Sequence, residues 1–145
     1  MTCSVVFMIN TALILAVIMT GTASQYGPGR MESNIAIRQA GLTAVDLPHN
    51  LPAVHGYAAG RYGEDIGKIV YLRPLNCDGC RFERFLIADC AGKYDGALDW
   101  MLRYNIVVEI DYNSVLRWSE LLGKNMVGRG IKVELAVETE RKRYE

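Results

Sequence analysis

The feature that most constrains this chain is an uncharged apolar run near its start. No charged residue precedes Arg30, and Ser4–Thr20 holds Val5, Val6, Phe7, Met8 and Ile9, then Ala12 through Met19 without a break. A run of that length is too apolar to lie on the surface of a small domain. It matches a signal-peptide core or a short membrane helix, and Gly21-Thr22-Ala23 adds the small residues a signal peptidase accepts. No Lys or Arg stands before it, which fits an uncleaved anchor or a different start better than a standard leader. The other account is a buried helix or strand pair. The expectation is therefore export: residues 1–22 as leader or anchor, a folded domain over 23–138, a charged tail over 139–145, and membrane contact only through the N-terminal segment.

The rest of the chain suits one folded domain. The sequence has 145 residues, half of them hydrophobic and 22% charged, so a packed core is expected. Sixteen basic and sixteen acidic residues cancel, which argues against a nucleic-acid partner. Short apolar runs separated by glycine-rich turns point to a mostly β fold. Strands are expected at Ala23–Tyr26, Leu42–Val45, Ile66–Leu75, Phe82–Cys90, Ile106–Ile110 and Ile131–Val137. Phe82–Cys90 is apolar on both faces and should be central. In the last strand Ile131, Val133, Leu135 and Val137 alternate with polar residues. Residues 30–41 read as irregular. One helix is expected at Ser114–Leu122, capped by Asn113, with Val115, Trp118 and Leu122 on its inner face and Gly123 ending it. Six strands and one short helix suggest a small closed barrel.

Several segments, taken in order, resemble the double-psi β-barrel of the rare-lipoprotein-A, expansin and barwin group. Ala23-Ser24-Gln25-Tyr26-Gly27-Pro28-Gly29 is similar to its A-S-x-Y-G-x-G opening, and Leu42-Thr43-Ala44 to its L-T-A-A-H strand. Ile87-Ala88-Asp89-Cys90-Ala91-Gly92 resembles the strand ending in N-D-R-G-P or D-x-C. Ile110-Asp111-Tyr112-Asn113 resembles I-D-L-S, and Gly130 with Ile131–Val137 the closing strand. The resemblance implies an exported envelope protein that cleaves or binds wall polysaccharide, with peptidoglycan as the expected glycan. It implies Asp89 as the general acid of a lytic transglycosylase and Asp111 as the acid of the expansin-like members. The group's catalytic His has no counterpart; Asp46 stands near its place, with His49 beyond. That departure favours the alternative, a non-catalytic expansin-like glycan-binding or structural envelope or phage module.

The residues themselves add chemistry to that expectation. Asp89 ends an apolar strand, where partial burial would raise its pKa into the range of a usable acid; hydrogen bonds from the following loop would lower it instead. Asp89 and Asp111 together form a candidate carboxylate pair, whose spacing would separate retention from inversion. Asp111 can equally serve the helix start. Asp95 and Asp99 read as solvated loop charges. Tyr26, Trp100 and Tyr104 form a candidate sugar platform, Trp100 and Tyr104 being i, i+4 on a short helix where plain packing competes. Trp118 belongs to the core. Cys77-Asp78-Gly79-Cys80 spans a turn. Zinc needs four ligands, and only Cys90 and two histidines remain, so a disulfide is the simpler reading and no metal or cofactor is expected. Cys90 is then free or the true partner of one of the two. His49 and His55 read as solvated loop residues.

Overall fold

The structure is a computed structural model, and it describes residues 13–92 and 95–139. Six strands carry it: β1 (Leu15–Gln25), β2 (Gly56–Gly60), β3 (Ile69–Pro74), β4 (Glu83–Cys90), β5 (Ile106–Ile110) and β6 (Ile131–Glu138). Three α-helices join them: α1 (Arg30–Gln39), α2 (Ala97–Arg103) and α3 (Tyr112–Leu122). The domain is mostly β, as its punctuation suggests. Pairing runs β1-β5-β2-β4-β3-β6, and β6 pairs back onto β1. The β1·β5 and β2·β4 pairs are parallel and the other four antiparallel.

β4 lies between β2 and β3, as its two apolar faces require, and β5 lies between β1 and β2. One face of the strands packs Ala58, Leu72, Phe85, Val108, Ile110 and Val133 into the main core. α3 closes one end of it. Val115 and Trp118 are fully buried, and the Trp118 ring meets Phe85 edge-to-face at 5.8 Å, a favoured aromatic geometry. Gly123 ends this helix at φ 69° in the left-handed region, as its sequence position suggests.

Four expectations are corrected. The first strand starts at Leu15 rather than Ala23, so residues up to Thr22 supply eight of the eleven residues of β1. Those residues pair with β6 from Leu15↔Glu138 to Thr22↔Lys132. Gly21 is required there, because a Cβ would overlap the Asn105 carbonyl and Val107. The N-terminal part of the expected leader, up to residue 12, lies outside the described residues, as does the tail from 140. Second, residues 30–39 form a helix, not irregular chain. Met31 and Ile35, one turn apart, pack on Ala59, Leu86 and Ala88 against the second face of the sheet. Third, Leu42–Val45 is no strand; Leu42 is 75% exposed. The strand beside β4 is instead Gly56–Gly60, and Gly56 is held there by close approach, since a Cβ would overlap Ser114 Oγ and Phe85. Fourth, α3 begins at Tyr112 with Asp111 as its N-cap, two residues before the expected Asn113.

Candidate functional site

The second face of the sheet carries a row of polar side chains where α1 leaves it. Where β2 pairs with β4 the register slips by one residue between Ala58 and Ala59, so that Ala59 pairs with Asp89. Ala59 also pairs with Glu109 of β5, and Glu109 with Ser24 of β1. Directly paired residues share a face. The row therefore reads Ser24, Glu109, Ala59, Asp89 across four strands, with the two acids on either side of the smallest available side chain. Strand spacing puts their Cα atoms roughly 10 Å apart.

Asp89 is 7% exposed, and both its oxygens are taken. Oδ2 accepts from the Tyr26 hydroxyl and from Asn34 Nδ2, each at 2.7 Å. Oδ1 accepts from Arg38 Nη2 at 2.5 Å and Nε at 3.2 Å. Asn34 and Arg38 stand i, i+4 on α1, so one helix face delivers both donors. Arg38 Nη1 is bonded in turn to the Val45 carbonyl and Thr43 Oγ1, which fixes the loop after α1. Burial pushes the Asp89 pKa up, but the bonds from Arg38, Tyr26, the Cys90 backbone and Asn34 outweigh it and hold the carboxyl below its ordinary value. The rise expected from burial at the strand end is thus reversed, because charged and neutral donors converge on the ionised form.

Tyr26 is tied to the same cluster. Burial, the bond to Asp89 and the charges of Asp89 and Glu109 all raise its hydroxyl pKa, so it stays a phenol and a donor. The Arg30 guanidinium lies 5.7 Å from the Tyr26 ring centroid, within cation–π range. Glu109 behaves oppositely to Asp89. Burial raises its pKa, the Ser24 hydroxyl bond (3.0 Å) and Arg30 lower it, and Asp89 and Asp95 raise it; the net direction is upward. No reading of the sequence singled out Glu109, Asn34 or Arg38. The signal for Glu109 was present: one carboxylate interrupts an otherwise apolar strand.

Of the residues expected from sequence, Trp100 and Tyr104 come together. They are 41% and 59% exposed, and with Ser24, Gln25, Thr22 and Ile106 they line an open groove of about 450 Å³. Tyr26 does not line that groove. Asp111 is brought to neither. Its Oδ1 accepts from the Tyr57 amide (3.1 Å) and the Ser114 hydroxyl (2.5 Å), so it joins β2 to the start of α3. It shares no hydrogen-bonding partner with Asp89, and the acid facing Asp89 across Ala59 is Glu109.

No known family model matches this chain, and no solved structure matches it.

The remaining candidates are spread out. Asp95 Oδ1 accepts from the Ala97 amide at the head of α2, and Asp99 is exposed. Cys77 and Cys80 lie at disulfide distance, their Cα atoms 5.5 Å apart, across a turn that places Asn76 and Gly79 at positive φ. Cys90 is free and half-buried, and burial raises its thiol pKa. His49 is exposed, and the His55 Nδ1 accepts from the Arg84 amide at the start of β4. No group of three His, Cys, Asp or Glu placed to hold a metal occurs among the described residues.

Proposed function

We propose that this protein binds, and cleaves, a wall polysaccharide along the surface shared by β1, β5 and α2, with peptidoglycan as the glycan. The six strands are read as a double-psi barrel of the rare-lipoprotein-A and expansin type. The cyclic pairing order supports closure of the sheet. One observation carries the functional reading: two exposed aromatic side chains, Trp100 and Tyr104, border a groove together with Ser24, whose hydroxyl is bonded to the half-buried Glu109 carboxylate. Aromatic faces and hydroxyl donors suit pyranose rings, and an acid of raised pKa beside them suits an acetal bond.

A second reading is a non-catalytic glycan-binding or structural envelope module. The four donor contacts on Asp89 favour it, because they leave that carboxylate with neither a proton nor a free lone pair for substrate. Both readings place the protein in the cell envelope. Leu13, Ile14, Val17 and Ile18 are exposed at the head of β1, an apolar start suited to that setting. No helix among the described residues is long and apolar enough to cross a membrane.

The test is a sedimentation assay with purified peptidoglycan sacculi. The wild-type protein should sediment with them, and the double variant Trp100→Ala, Tyr104→Ala should lose at least about tenfold in affinity, about 1.4 kcal/mol. Neither side chain is in the core, so the melting point should stay close to wild type. Absence of wild-type sedimentation would defeat the proposal.

A further inference from the structure

The carboxylate expected to carry catalysis is the one least able to do so. Asp89 is ionised, ion-paired with Arg38 and saturated by donors. Asp111 is buried and engaged by Tyr57 and Ser114. Glu109 differs in position and in partners. It is bonded through Ser24 to the wall of the aromatic groove and pairs with Ala59, the residue that separates it from Asp89 in the row. Among the described residues its side chain makes only the hydrogen bond that Oε1 accepts from Ser24, which leaves Oε2 to hold a proton.

We propose that Glu109 is the catalytic acid of this site and that Asp89 is a positioning residue that holds Tyr26 and α1 against the sheet. This rests on the glycan reading above and names its proton donor. Glu109 gives its proton to the bridging glycosidic oxygen, and the bond from that oxygen to C1 breaks with the electron pair leaving on the oxygen. The C6 hydroxyl oxygen of the same sugar then bonds to C1, and its proton passes to the Glu109 carboxylate. Glu109 ends protonated, as it began. The products are a chain ending in an anhydro sugar and a chain with a new free hydroxyl, with no net oxidation and no water consumed. The intramolecular hydroxyl is favoured because Asp89, the carboxylate paired across Ala59, has no free lone pair with which to activate water.

Among the described residues, four charged or titratable groups act on Glu109 or respond to it. They are Arg30 at the head of α1, Asp89 on β4, Asp95 before α2 and Tyr26 after β1. Burial and the two aspartates keep Glu109 protonated to higher pH, while Ser24 and Arg30 oppose them. Activity should therefore fall on the alkaline side as Glu109 loses its proton. Removing the Ser24 bond takes away a contact that favours the ionised form, so that limb should move to higher pH in Ser24→Ala.

The experiment uses the full chain, purified peptidoglycan sacculi and mass spectrometry of released fragments. Wild type should release anhydro-ended fragments, one water lighter than hydrolytic ones. Glu109→Gln should sediment with sacculi as wild type does but release fragments at least about 100-fold more slowly, the scale expected for loss of a positioned acid. Ser24→Ala should shift the alkaline limb of kcat/KM upward. Wild-type rates in Glu109→Gln, or an unmoved limb in Ser24→Ala, overturn the assignment. Fragments that have gained a water overturn the intramolecular step. Wild-type protein that binds sacculi but releases nothing overturns Glu109 as a catalyst and leaves the binding module; wild type that neither binds nor releases overturns the glycan reading itself. If Glu109→Gln does not fold, carbon NMR of the wild-type carboxyl decides instead, and a Glu109 titrating at or below the ordinary glutamate value overturns the assignment.

Discussion

Replacing Asp89 by Asn removes one charge and one acceptor from a buried network whose partners are known. The Arg38–Asp89 side chains are only 11% and 9% exposed, so solvent screens the pair little. An asparagine can turn its oxygen to Arg38, but its amide then points at Asn34 Nδ2, donor against donor, while Tyr26 must reverse its hydroxyl to accept. Breaking one side of a buried ion pair costs about 3–5 kcal/mol. Arg38 keeps its bonds to Val45 and Thr43, which favours the lower end, about 3 kcal/mol. A domain of this size loses roughly 0.26 kcal/mol per degree at its midpoint, so the melting point should drop by about 12 °C at pH 7. The pH dependence has a definite sign. Asp89 has a folded pKa below its unfolded one, so its contribution is present above the unfolded value, near pH 4, and is lost as pH falls through the folded value. The gap between wild type and Asp89→Asn should hold steady from pH 7 to about pH 5 and narrow below pH 4. Differential scanning calorimetry across that range reads it directly. A gap under about 2 °C at pH 7, or one that widens in acid, would refute the clamp.

Two further outcomes follow from the fold. Non-reducing peptide mapping of protein from an oxidising compartment should find Cys77 joined to Cys80 and Cys90 unmodified by either; reducing a bridge across so short a loop should cost about 2 kcal/mol, and a Cys90 linkage would contradict the pairing. A chain starting at Ala23 would lose seven of the eight β1–β6 pairs, so it should give no cooperative melt by circular dichroism; a folded product would show that β1 is dispensable before Ala23.

The elements legible in sequence were those whose pattern matched one period. β6 alternates cleanly, β4 is apolar on both faces and flanked by turns, and the Val115, Trp118, Leu122 stripe with Gly123 marks α3 and its end. β2 escaped because Gly-Tyr-Ala-Ala-Gly has no β-branched residue; its place is set by close packing at Gly56, which sequence does not display. α1 escaped because its buried apolar face is narrow, Met31 and Ile35, and Ile37 lies exposed off that stripe. With the helix went its i, i+4 pair of Asn34 and Arg38, and so the reason Asp89 is stabilised as an anion. The start of β1 was hidden by its likeness to a leader: an apolar run is the same in sequence whether it enters a translocon or a sheet. Asp89 was found from its place at a strand end. Its chemistry was not, because the direction of a pKa depends on neighbours more than fifty residues away.

The most direct test of the account is a titration of isotopically labelled protein with soluble peptidoglycan glycan fragments, followed by proton–nitrogen correlation NMR. Saturable shifts are expected at the Trp100 indole and at the amides of Tyr104, Ser24 and Glu109, with Asp111 and the core of α3 unmoved. A spectrum that does not change at millimolar glycan, or shifts confined to surfaces away from the Trp100 groove, would contradict it.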